Sequence, residues 1–158
     1  MLQWVSKVLK IIVLVIFVAF GVLQFLGPNK PETTNRSPED LTEVVELPNG
    51  IESMLVAACY DCHSMETKYP WYGSVAPVSW ILFDHIEHGR EELNFSYWKS
   101  MSKREKLRGL KDIQEVLEEN EMPLDDYVKM HSEAELSADQ KNELISWAKS
   151  LANQVISQ

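Results

Sequence analysis

Two cysteines separated by two residues, with a histidine directly after, make up Cys59-Tyr60-Asp61-Cys62-His63. The spacing has a chemical meaning. Thiols at this separation can each form a thioether to one of the two vinyl groups on one edge of a porphyrin. The next residue then emerges beneath the ring, where an imidazole can bind the iron. The stretch is therefore the attachment signature of a c-type haem. No other cysteine occurs in the chain, so nothing competes for the pair. Two other chemistries use such pairs. A redox disulfide of the thioredoxin type needs a βαβ context, and the flanks at 51–58 and 69–86 show none. A zinc site needs further donors; His85 and His88, three residues apart, are the ones that could complete it.

The elements that must position this stretch begin with an apolar run. Residues 8–26 are interrupted only by Lys10 and Gln24, which is long enough to cross a bilayer as a helix. Lys10 can snorkel from one end, and Trp4 sits where an interfacial aromatic belongs. A cleaved signal peptide is the competing reading. Its nearest cleavage site, Ala19-Phe20-Gly21, would leave an apolar start, so an uncleaved anchor over residues 1–27 is expected. No cysteine lies near the end of the run, which excludes a lipoprotein. Loop charges barely set the orientation. Covalent haem attachment takes place outside the cytoplasm, so the rest of the chain is expected in the periplasm, held at the inner membrane.

Lys7 and Lys10 are the only charges in the first 27 residues. The remainder therefore holds 13 of the 15 Lys and Arg against all 24 Asp and Glu, a formal balance of −11. Such an acidic domain disfavours nucleic-acid binding. Residues 28–48 combine prolines, a polar run and an acidic patch, and read as a flexible linker. Residues 49–158 are the expected domain.

Within it, a short helix over residues 51–59 feeds straight into the cysteine pair, with Ile51, Leu55 and Ala58 on one face. An aromatic loop follows at 67–73. Pro77 reads as the first-turn residue of a helix reaching about His88, with Gly89 as its stop. Ser102-Lys103-Arg104-Glu105 is a capping box opening a helix to about Asn120, with Leu107, Leu110, Ile113 and Leu117 as its apolar stripe. Gly109 inside it is costly unless something packs close. The basic start of this helix opposes its dipole, and reads as a solvated face or a dock for an acidic partner. Ser137-Ala138-Asp139-Gln140 is a second capping box. It opens a final helix to about Val155, striped by Leu144, Trp147 or Ala148, Leu151 and Val155. No stretch alternates like a strand.

A helix leading into CxxCH, a distant Met-Pro and a capped C-terminal helix resemble the order in class I cytochromes c. More specifically, residues 59–147 resemble the bacterial haem-binding domain family of membrane-anchored, cytochrome c-like proteins. The matching segments are Cys-Tyr-Asp-Cys-His-Ser at 59–64, Tyr-Pro-Trp-Tyr at 69–72, Ala-Pro-Val-Ser-Trp at 76–80, Gly-Arg-Glu at 89–91, Leu-Asn-Phe-Ser at 93–96, Met-Pro-Leu at 122–124 and Leu-Ser at 136–137. The resemblance implies covalent haem binding and leaves the physiological role open.

His63 is the expected proximal ligand, with a backbone carbonyl near Pro70 or Pro77 as acceptor for its other ring nitrogen. Met122, Met130, His131, His85 and His88 compete for the sixth position with an empty site. The resemblance favours Met122, and Pro123 biases it toward an extended loop. Trp71 and Trp80 are expected to pack on the haem, and Arg90 to pair with a propionate. The expected whole is an all-α, cytochrome c-like domain behind one transmembrane helix. It holds a single haem c and passes single electrons to a redox partner that the sequence does not identify. No acid, base or nucleophile constellation points to an enzyme. The rival readings are a haem sensor of diatomic gases or redox state, and a peroxidase-type enzyme.

Overall fold

The computed structural model describes residues 2–157. Among them every regular element is helical and no strand forms. The chain divides into two compact units. One holds the chain up to Pro31 together with Tyr69–His85; the other holds Glu32–Lys68 and everything from Ile86 onward.

In the first unit, α1 (Leu2–Leu23) carries Gln3, Ser6, Lys7 and Lys10 on one face of its first turns and is apolar on all sides from residue 11 onward. Its segment Gln3–Leu23 has a mean hydropathy of 2.5, and none of it is buried within the protein. A helix that is hydrophobic all round needs an apolar medium or a complete protein shell. Just past its end, the Gln24 side chain accepts from the Ala76 N–H (3.0 Å) and donates to the Ala76 carbonyl (3.3 Å). The same unit contains a 3₁₀ turn, Trp71–Ser74, and the start of α5 (Val78–Glu92).

The second unit carries the main core. After a short α2 (Leu41–Val44), α3 (Ile51–Ala58) begins at Gly50, whose φ of 90° suits glycine alone. It buries Ile51, Met54, Leu55 and Ala58. One further turn, α4 (Tyr60–His63), follows directly. α6 (Lys103–Glu118) and α8 (Ala138–Ser157) are the principal pair, and α3 packs on α8. Leu110 and Leu117 from one and Leu144, Trp147, Ala148, Leu151 and Val155 from the other are buried in a single cluster. Each large side chain buried there contributes about 1.5–3 kcal/mol.

Both capping boxes form. Ser102 Oγ accepts from the Glu105 N–H (3.3 Å) while Glu105 accepts from the Ser102 N–H (2.7 Å). Ser137 and Gln140 make the same exchange at 3.2 and 2.8 Å. α6 stops at Asn120, which takes φ 58°. The Glu121 N–H then donates to the Val116 carbonyl at 2.9 Å, closing a Schellman motif.

α6 and α8 run antiparallel, and this accounts for much of the basic start of α6. Lys103 Nζ donates to the Ile156 carbonyl (2.8 Å) at the C-terminal end of α8, where a cation is favourable. Further along, Arg108 pairs with Glu92 and Asp112, and Lys111 with Glu115.

Two expectations need correction. Residues 32–48 are not a free linker. Asp40 and Leu41 are wholly buried, Thr34 N–H donates to the Met65 carbonyl (2.7 Å), and Lys99 N–H donates to the Glu39 carbonyl (2.9 Å). The Asp40 carboxylate caps α2 through the Thr42 N–H (2.9 Å) and accepts from Tyr60 Oη (2.7 Å). These bonds give a buried charge the partners it requires. Gly89 is likewise no stop: α5 runs through it to Glu92.

The reason lies in packing. A Cβ at Gly89 would stand 2.8 Å from the Cys62 carbonyl oxygen, a backbone atom that cannot step aside. At Gly109 the same test meets Leu93 Cδ1, also at 2.8 Å, but this is the end of a side chain that can turn. Gly89→Ala is therefore expected to cost about 1–3 kcal/mol. Gly109→Ala gains up to about 1 kcal/mol of helix propensity against its crowding and should come out near neutral. Urea denaturation midpoints measure both; equal losses would show that the contact with Cys62 is not special.

Candidate cofactor site

The site is built where α3 ends. Cys59 leaves the helical region (φ −128°, ψ −40°), and α4 restarts at once with the Cys62 and His63 N–H groups donating to the Cys59 carbonyl at 3.2 and 2.9 Å. One turn thus places both thiols on the same side, three residues apart, with the imidazole next in line. Both cysteines are free and half-buried.

Burial, aided by the neighbouring thiol, pushes Cys59 up to about 12. Burial, aided by Asp61, pushes Cys62 up to about 11. A dithiol redox site works through a depressed thiol, so these surroundings oppose a disulfide-exchange role. Nor does a zinc site assemble: among the described residues no three His, Cys, Asp or Glu side chains gather as a metal-binding group.

His63 is oriented from behind. Its Nδ1 lies 3.0 Å from the Leu93 carbonyl oxygen. A carbonyl only accepts, so Nδ1 carries the proton and Nε2 keeps its lone pair. Burial holds the imidazole below its ordinary range, against the pull of the Leu93 and Gly89 carbonyls. The ring is therefore neutral, the form that ligates a metal. The acceptor was expected near Pro70 or Pro77; it is Leu93 instead. Because α5 continues through Gly89, the chain leaves the helix beside His63 rather than short of it. Leu93 belongs to the segment 93–96 quoted above without a role, which was the available signal.

The two residues between the cysteines are clamped as well. Tyr60 stacks on Phe95 (centroids 5.2 Å apart), and burial and its bond to Asp40 raise its hydroxyl well above the ordinary value. Asp61 accepts from the Lys68 N–H (2.9 Å) and from Tyr127 Oη (2.8 Å). Tyr127 belongs to α7 (Asp125–Met130), so this bond joins the cysteine turn to the segment that follows Met122-Pro123.

Arg90 is occupied close by. Its guanidinium donates to the Ser64 and Glu32 carbonyls (both 2.9 Å) and to Thr67 Oγ1 (3.0 Å). What these contacts do is fasten the loop behind His63. Met122 is half-buried, and its N–H donates to the Val116 carbonyl at 3.3 Å; its peptide bond to Pro123 is cis. Met130 is exposed, and His131 stacks on Tyr127 at 4.2 Å. Trp80 is half-buried and Trp71 is 78% exposed, both in the first unit.

A family model described as a haem-binding domain matches residues 18–150. The chain belongs to that family. No curated protein and no solved structure matches it. The matched haem-binding domain takes in the cysteine turn, Leu93, Met122 and most of α8. The donor set suits the group the family is named for: two thiols on one turn, and a neutral imidazole whose free nitrogen is fixed by a carbonyl.

Proposed function

We propose that this haem-binding domain is a membrane-anchored, monohaem c-type cytochrome that carries single electrons on the outer side of the cytoplasmic membrane. The observation that carries the reading is the bond from His63 Nδ1 to the Leu93 carbonyl, beside two free thiols of one turn. Cys59 and Cys62 would hold the haem through thioethers, and His63 and Met122 would ligate its iron, a pairing the Tyr127–Asp61 bond supports by tying the segment after Met122 to the cysteine turn. The bound haem supplies a one-electron couple, and thioether ligation raises its potential.

The chain's own residues do the rest. Leu93 fixes the tautomer of His63, Gly89 lets α5 lie against the Cys62 backbone, and Arg90 locks the loop behind them. α1, apolar over 21 residues, would be the anchor. The reading is a carrier rather than an enzyme, serving a redox partner still to be identified.

The full chain purified with its haem should titrate reversibly in one single-electron step and turn over hydrogen peroxide no faster than free haem. Rapid peroxide turnover would replace the carrier by a peroxidase-type enzyme.

A further inference from the structure

Beyond the long apolar helix itself, the first unit leaves five large apolar side chains in the open. Phe25 is 91% exposed, Trp71 78% and Ile81 59%, with Leu26 and Val78 exposed beside them in sequence. Single exposed apolar residues are ordinary. These five are not scattered. Phe25 and Leu26 lie two and three residues past Leu23, the end of the membrane-length helix. The other three lie in the stretch that is fastened to the same point. Besides a bond to the Phe20 carbonyl (2.9 Å), the Gln24 side chain exchanges two bonds with the Ala76 backbone there, and Tyr69 Oη donates to the Pro31 carbonyl (2.7 Å). Gly27 lies so close to the Trp80 indole that any Cβ would collide with it. Val78 and Ile81 are three apart on α5 and share a face.

For a helix that crosses upright, length sets the depth of this point. The 21 residues of Gln3–Leu23 rise about 31 Å as a helix, close to the thickness of a bilayer's hydrocarbon core. Gln24 and the segment pinned to it therefore come at the level of the lipid headgroups. Amphipathic aromatics and apolar helix faces collect at that level.

We propose that Trp71, Val78 and Ile81, with Phe25 and Leu26, form an interfacial collar that seats in the outer leaflet of the bilayer crossed by α1. The occupant of the exposed apolar surface is lipid: acyl chains just below the headgroups. The inference rests on the reading of α1 as a membrane span, and goes beyond it by giving the residues 69–81 a lipid contact of their own.

The test uses the full chain in phosphatidylethanolamine–phosphatidylglycerol vesicles. A photoreactive benzophenone amino acid replaces one of Trp71, Ile81, Ile12 or Ile156 in turn. Ile12 reports the span, and Ile156 is an exposed residue of the second unit. After illumination, mass spectrometry counts lipid adducts. Adducts at 71 and 81 should match those at 12 and exceed those at 156 on the order of tenfold. Adducts at 12, with 71 and 81 no higher than 156, would overturn the collar and leave the anchor standing. No adducts at 12 would bring down both. Chain-to-chain products at 71 and 81 in place of lipid would assign the face to a second copy and overturn the collar.

Discussion

Replacing Cys59 and Cys62 together by serine is expected to remove all covalently held haem from the chain. Serine keeps the size of the side chain and loses the thioether chemistry, and no other cysteine can substitute. The turn itself should survive. Its backbone bonds to the Cys59 carbonyl, the Tyr60–Asp40 bond and the Asp61–Tyr127 bond do not involve sulfur. The imidazole also remains oriented by Leu93, so the variant can still take up haem loosely. A denaturing gel stained for haem peroxidase activity separates the two modes, because unfolding releases haem held only by ligation. Wild type should stain and the double variant should not. Staining of the double variant would end the c-type reading and leave a haem held without thioethers.

The parts of the fold that could be read from the sequence are those whose information is local. α6 and α8 announce themselves by capping boxes and by apolar residues three and four apart, and both caps and stripes are seen. The cysteine turn was legible because its chemistry demands consecutive residues. What could not be read is held by contacts distant in sequence. Residues 32–48 look like a tether by composition, yet Asp40 reaches Tyr60 twenty residues on and carries Leu41 into the core. The apolar residues there, Leu41, Val44, Val45 and Leu47, make too short a run to establish a period. Gly89 resembled a helix stop because glycine serves equally for stopping and for close approach; only the position of the Cys62 carbonyl distinguishes them. The acceptor of His63 lies thirty residues away.

Met122→Ala should keep the covalent haem and change its electronic state. The chain turns sharply out of α6 at Asn120, and the Glu121 and Met122 N–H groups both return to the Val116 carbonyl. Met122 thus begins its segment from a fixed point. Five residues later Tyr127 is bonded to Asp61, two residues before His63. The stretch that carries Met122 is consequently held at one end by α6 and at the other by the turn that carries His63. A thioether is a soft, neutral donor and favours ferrous over ferric iron. Its loss should abolish the sulfur-to-iron charge-transfer band of the oxidised protein, lower the reduction potential and let carbon monoxide bind the reduced form. Truncating a half-buried methionine costs about 1–2 kcal/mol, small enough that the fold and both thioethers persist. The bland alternative is that Met122 only packs at the end of α6, in which case stability falls by the same amount while the oxidised spectrum stays as it was. That outcome would remove Met122 from the ligand set. A wild type that already binds carbon monoxide readily would instead turn the carrier into a sensor of diatomic gases, with an iron coordinated by His63 alone.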